Sequence, residues 1–289
     1  IGGSVASGAR ARGLFGRVVG VESDPDARMQ ARERRLADVV AEDLAGAGSK
    51  VDVVVVAVPA SATAAAALAA LEAFPRAVVT DVAGVKAPVV SRVVGAAGAA
   101  AGRFVGGHPM AGTAGKGPAS ADGELFEDRR VILTPVESTD PKALSVVEGL
   151  WRGLGATPVR ETPEAHDRAV AAVSHLPHAL AFALEIAATM TLTPKADVVR
   201  GAEAVARAAG PSFESATRVA ASDVETWVEL LGANAALDLE ALAAVTVTLD
   251  EIARALGRIA AGEDAGRNDL REILRRAQAY RAARAPGAS

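Results

Sequence analysis

The chain has 289 residues, half of them hydrophobic but only 3% aromatic, with no cysteine and a formal net charge of −4. That length buries a large aliphatic core and fits two domains better than one, while the acidic balance and scarcity of rings argue against a nucleic-acid partner. Without cysteine there is no disulfide framework, thiolate nucleophile or Cys-ligated metal, and the Ala-rich apolar runs are broken by charge or Gly, so a soluble cytoplasmic protein with no membrane partner is expected.

In chain order, residues 2 to 13 read as a helix entered through glycines and closed at Gly13. Arg17 to Glu22 is a short strand ending in an acid, and Asp24-Pro25 opens a charged helix reaching Leu36. Val51 to Pro59 is an almost unbroken β-branched run, the pattern of a strand buried on both faces. A helix from Ser61 to Phe74, a strand from Ala77 to Asp81, a helix from Lys86 and a strand from Arg103 to Gly106 follow. A strand at Val131 to Thr134, a helix from Pro141 to Leu154 and a strand at Thr157 to Arg160 complete the series. This alternation predicts an α/β, Rossmann-like, doubly wound and mostly parallel sheet over residues 1–163. Residues 164–289 hold only long amphipathic segments, at 164–190, 195–209, 235–262 and 267–283, and predict an all-α domain. Leu237 to Leu256 is apolar around much of its circumference, so it is expected against other helices or a second subunit. The tail from Ala282 is expected to be disordered.

Several residues stand where such a sheet carries its chemistry. Gly2, followed by Gly3, is read as the third glycine of a G-x-G-x-x-G turn whose first strand and first two glycines precede residue 1. In that turn the backbone approaches a pyrophosphate and the helix N-terminus supplies positive potential. Glu22, at the end of the next strand, suits the ribose hydroxyls and favours NAD, while Arg28 keeps NADP open. Val58-Pro59 and Thr80-Asp81 end two further strands, where a ligand crevice is expected. Phe104 to Gly107 is an apolar run ending in two glycines, after which His108 is expected on a Pro-bearing turn at the same rim, as a catalytic imidazole. His175 and His178 lie three apart and share a helical face. A metal site, buried structural histidines and a substrate-binding pair all fit that spacing, the last being preferred and no metal being expected. Arg218, near a helix start after Gly210-Pro211, suits a carboxylate through its bidentate fork.

The segments Gly106-Gly107-His108-Pro109-Met110-Ala111-Gly112, Leu125 to Pro135, His166-Asp167 leading to Ser174-His175-Leu176-Pro177-His178, and Thr217-Arg218-Val219-Ala220 together resemble the prephenate/arogenate dehydrogenases of tyrosine biosynthesis. The likeness runs from Ile1 to about Trp227. It implies NAD(P)-dependent oxidative decarboxylation of a cyclohexadienol, prephenate or alternatively arogenate, by a homodimer whose helical part is a dimerisation domain. A dinucleotide-binding dimer without catalysis is the non-enzymatic alternative. By analogy His108 takes the substrate hydroxyl proton, Arg218 holds a carboxylate, and His175, His178, Trp227 and Thr113 complete the pocket. Asp81 and Lys86 match a Thr-Asp-x-x-x-x-Lys segment beside the cofactor. The chain departs from the family pattern at Gly84, where relatives commonly carry serine, and at Ala114, near which prephenate-preferring relatives often carry an acid. An N-terminally incomplete copy is expected, its first sheet strand lying before residue 1.

Overall fold

The structure is a computed structural model that describes residues 1–112, 115–192 and 197–284. Ile1–Ala235 and Ala236–Ser289 are separate compact units. The first opens with α1 (Gly2–Ala11), β1 (Val19–Val21), α2 (Pro25–Glu33), β2 (Val39–Ala41), β3 (Val53–Val56), α3 (Ala60–Ala73), β4 (Val78–Asp81) and α4 (Ala87–Ala97). It continues with β5 (Phe104–Pro109), β6 (Arg130–Thr134), α5 (Pro141–Gly153) and β7 (Thr157–Arg160). After Arg160 the described residues are helical: α6 (Pro163–Val170), a π turn (Ala171–His175), α7 (Leu176–Leu192), α8 (Val198–Ala208), α9 (Pro211–Thr217) and α10 (Val224–Ala233).

The strands form two hydrogen-bonded sheets, β1-β2 and β3-β4-β5-β6-β7. Each of β1 and β3 is hydrogen-bonded to one neighbour only, among the described residues. Helices cover both faces of the larger sheet. Val5 and Ala9 of α1 and Val147, Leu150 and Trp151 of α5 share one buried cluster with Val105, Val131 and Leu133. Ala64, Ala67 and Leu71 of α3 and Val89, Val90 and Val93 of α4 share another with Val56, Val79 and Phe104. Small alanines at Ala67 and Ala70 leave α3 and α4 free to pack closely, which is how a core so poor in aromatic rings fills its space.

Three local expectations need correction. β6 runs antiparallel to β5, with Gly107 opposite Leu133 and His108 opposite Ile132. A parallel neighbour needs a crossover helix, and between these strands the described residues hold only the 3-10 turn Pro118–Ser120. β2, paired in parallel with β1, was not anticipated, because three residues show no periodicity. His108 lies inside β5 and not on a turn after it. The glycines before it serve close packing: a Cβ on Gly107 would stand 2.9 Å from the Asp81 carbonyl oxygen, and one on Gly106 would run into Thr134 Oγ1.

α6, the π turn and α7 form one helix of 30 residues, Pro163–Leu192, apolar and long enough to cross a membrane by composition. Its first part instead carries buried His166, Asp167 and His175. The second unit contains most of α11 (Ala235–Ala260) and α12 (Asp264–Ala283), joined by Arg258–Asp269 at 2.6 Å and by Arg276–Glu251. The expectation that Leu237 to Leu256 is covered by other helices fails within one chain, where Leu239, Val247, Leu249 and Leu256 are each more than half exposed. α12 stays helical to Ala283, past the expected start of the disordered tail, and residues 285–289 lie outside the described residues.

Candidate active site

The carboxyl end of β4 is tied to β5 by a buried ion pair. Asp81 and Lys86 have no exposed surface and are bonded to each other. Asp81 also accepts from the N–H of Gly107 (3.1 Å) and of Ala83 (2.9 Å), while Lys86 Nζ donates to the Gly107 carbonyl (2.7 Å). Burial pulls the Lys86 ammonium down, and the carboxylates of Asp81 and Asp167 oppose it. These two residues therefore meet each other, not open space, and they fasten the residue before His108.

His108 is partly buried, and its Nδ1 lies 2.8 Å from Nε2 of His166. The fully buried His166 places Nδ1 2.7 Å from Asp167 Oδ1. Asp167 caps α4 from another helix: Oδ1 accepts from the N–H of Lys86 (2.7 Å) and Oδ2 from that of Ala87 (2.8 Å). α4 has no side-chain cap of its own, so an anion is favoured there. Asn234 Nδ2 donates to the Asp167 carbonyl (3.1 Å). Burial, then the charges of His166, Lys86 and His175, drive the His108 imidazole well below 6.5. Burial pushes the Asp167 carboxyl up, but the bonds from His166, Lys86 and Ala87 outweigh it and hold the group below 3.8.

The other side of His108 faces the loop after β4. A Cβ built on Gly84 would lie 3.9 Å from His108 Nε2 and 2.9 Å from Leu230 Cδ2. Leu230 of α10 thus takes part of the room that a larger residue at 84 would use.

His175 and His178 both contact Trp227. His175, buried in the π turn, meets the indole edge-on at 5.7 Å, and His178 stacks on it with ring centroids 3.6 Å apart. His178 donates from Nδ1 to the Ser174 carbonyl (2.8 Å). Burial pulls its imidazole below 6.5 against that bond, and the charges of His175 and Arg218 add to the effect. Arg218 is exposed and lines an open cavity of about 740 Å³ with Glu185, Glu214, Ser215 and Thr217. Among the described residues no group of three or more His, Cys, Asp or Glu could hold a metal ion. Thr113 and Ala114 lie outside the described residues.

The carboxyl end of β3, parallel to β4 and level with Asp81 on the same edge of the sheet, suits a dinucleotide. Gly2 begins α1 with no side-chain cap, and a Cβ there would stand 2.9 Å from the Cβ of Ala57, the residue after β3. The bare helix N-terminus is therefore pressed against the end of β3, where Val58 is exposed and Pro59 leads into α3. A Cβ on Gly3 would likewise meet Ala121 at 2.9 Å. Free N–H groups in a glycine-lined approach fit a pyrophosphate. Glu22 follows β1, its Oε1 accepting from the Asp24 N–H at 2.9 Å. Arg28 donates to the carbonyls of Glu22 and Ser23 (2.7 Å each) and pairs with Glu42 at 3.4 Å, which leaves its guanidinium engaged with the protein.

Within one compact unit, Trp227 joins His175 and His178, Arg218 bears on His178 through its charge, and Asp81 and Lys86 hold the Gly107 that precedes His108. The parts that sequence reasoning gave no role are His166, Asp167, Asn234 and Leu230. One signal was present: Asp167, Ala171 and His175 recur every four residues, so a charge and an imidazole share a stripe with an alanine where a buried helix face is expected to be apolar.

Comparison with known proteins places this geometry. Residues 5–160 match the family model for the prephenate dehydrogenase nucleotide-binding domain, and residues 162–276 match that for the prephenate dehydrogenase dimerization domain. The chain is 31% identical over 214 residues to the cyclohexadienyl dehydrogenase of Zymomonas mobilis, an alignment covering 72% of this chain and 69% of that one. The crystal structure of prephenate dehydrogenase from A. aeolicus in complex with hydroxyphenyl propionate and NAD+ matches with a TM-score of 0.84 and 30% identity, covering 96% of this chain and 93% of that one. Synechocystis arogenate dehydrogenase matches with a TM-score of 0.76 and 28% identity over 97% of this chain and 95% of that one.

Proposed function

We infer the activity of this chain from its family: it belongs to the prephenate dehydrogenases, which are NAD-dependent oxidoreductases. The reaction we propose is oxidative decarboxylation of prephenate to 4-hydroxyphenylpyruvate, with NAD as cofactor, in tyrosine biosynthesis. When bound, NAD supplies the acceptor for a hydride from the ring carbon that carries the hydroxyl. The N–H groups at Gly2 and Gly3 hold its pyrophosphate and Glu22 its ribose, beside Val58 and Pro59. Asp81 and Lys86 act from beneath, by setting the position of Gly107. The engagement of Arg28 supports NAD over NADP.

The observation that carries this reading is the orientation of His108. Its Nδ1 is engaged by His166, so Nε2, on the Gly84 side, is the nitrogen left for a substrate hydroxyl. A neutral ring is needed to accept that proton, and burial keeps His108 neutral. Arg218 grips a substrate carboxylate, and His175, His178 and Trp227 shape the pocket. Loss of the ring carboxylate makes the ring aromatic, so the chemistry runs downhill and the protein mainly orients and places charge.

The likeness to an arogenate dehydrogenase supports arogenate as a second substrate reading. Assembly as a homodimer, which we place in the cytoplasm, has its support in the match to a dimerization domain and in the exposed leucines and valines of α11; that support concerns assembly and not location. The test is NADH formation from prephenate and from arogenate side by side, with NAD binding titrated independently. Turnover of either substrate is expected; NAD binding without turnover of both would sink the enzyme reading in favour of a non-catalytic dinucleotide-binding dimer.

A further inference from the structure

Asp167, His166 and His108 form a single hydrogen-bonded line, from a buried carboxylate through a fully buried imidazole to the imidazole at the rim. With both rings neutral, one proton arrangement satisfies it. Two backbone N–H groups already point at the Asp167 carboxylate and keep it ionised, so His166 donates to it from Nδ1. His166 Nε2 is then an acceptor, His108 donates to it from Nδ1, and the lone pair of His108 falls on Nε2, the side facing Gly84.

The geometry points to His166 as a positioning residue that fixes the tautomer of His108 and briefly stores the substrate's proton, with Asp167 as its counter-charge. This rests on the dehydrogenase reading above. The proposed reaction needs such a store. As the hydride leaves the carbinol carbon, the hydroxyl O–H bond breaks and its proton moves to His108 Nε2. The Nδ1 proton of His108 passes to His166 Nε2, and the resulting imidazolium lies against Asp167. When the bond to the ring carboxylate breaks and CO2 departs, the bonding pair moves through the ring toward the oxygen. The stored proton then returns along the same line to give the phenol. No net proton is taken up. Without the line the charge would rest on His108, which burial and the Lys86 ammonium disfavour. Among the described residues, the titratable and charged groups around the two rings are Asp81 at the end of β4, Lys86 before α4, Asp167 from α6 and His175 from the π turn.

The test measures kcat and KM against pH with NAD and prephenate (arogenate where that is the substrate turned over), for the unaltered chain and for His166→Gln. Glutamine offers an oxygen to His108 Nδ1 but stores no proton. The expected result is a fall in kcat of about tenfold or more, with KM and NAD affinity changed by less than about threefold. The acid limb should also move to higher pH, because the charge at residue 166 that helps hold the His108 imidazole down is gone. Unchanged kcat with an unmoved acid limb overturns the proposal, and so does a loss confined to KM. Imidazole 15N spectra of the unaltered chain read the tautomer without turnover, and four histidines keep the assignment short. A proton on Nδ1 of His108 supports the line, and one on Nε2 overturns it. If neither substrate is oxidised, the function reading fails while the spectra still decide the hydrogen-bonded line.

Discussion

The indole of Trp227 lies on the imidazole of His178 with the ring planes 23° apart, and the same indole meets His175 edge-on. One ring from α10 thereby orients two imidazoles from successive turns of a single helix. Spacing of three residues puts those imidazoles on one face, but only a third ring sets their angles.

Trp227→Leu keeps apolar bulk and removes the stacking face. An aromatic pair contributes about 0.5–1.5 kcal/mol beyond its buried area, so KM for the substrate should rise roughly two- to tenfold with kcat little changed. Steady-state kinetics decide it, and an unaltered KM would detach the stack from substrate binding.

Arg218 is exposed and pulls on His178 through its charge. A charge-assisted bond to a carboxylate is worth about 1.5–3 kcal/mol, so Arg218→Ala should raise KM by about ten- to a hundredfold. Arg218→Lys should recover only part, since an ammonium lacks the bidentate fork. Equal KM values for all three chains would return Arg218 to the solvated surface.

Folding stability should fall on mild acidification. Both His108 and His178 are pulled below 6.5 in the native state. Above that value native and unfolded chains are both neutral and nothing changes. Below it the unfolded chain takes up protons that the native chain refuses, so stability drops as pH falls through the unfolded value and levels off only at the lowered native ones. Asp167, held below 3.8, adds a further loss at more acid pH. Urea midpoints between about pH 8 and pH 5 measure the slope, which His108→Gln should flatten.

Removing one partner of the Lys86–Asp81 pair strands a charge with no exposed surface. Lys86→Met should cost about 3–5 kcal/mol in urea unfolding. Adding Asp81→Asn should restore a substantial part, because the neutral side chain still accepts from the Gly107 N–H. A double variant as unstable as the single one would show that the pair matters through packing and not through charge.

The alternation of β-branched strands with Ala-rich helices was legible because each period is set by neighbours two to four residues apart. So was the change to helices after the last strand, read from residue 164 and found from Pro163 among the described residues. The antiparallel β6 was not, since its direction depends on the path of the connection and leaves no mark on the strand's own pattern. β2 was too short to show a period. Asp81 and Lys86 were found as a motif, but their burial against Gly107 was not visible in the spacing of five residues.

By itself the sequence determined that a nucleotide-type α/β part precedes helices, and that the glycines of Gly106-Gly107 lead to a single histidine at the rim. The tertiary structure alone decided which nitrogen of that histidine is engaged. His108 and His166 stand 58 residues apart, one in a strand and one in a helix, and their rings meet at 2.8 Å. Local periodicity says which face of an element is buried, whereas a proton's location depends on hydrogen bonds closed through space by packing.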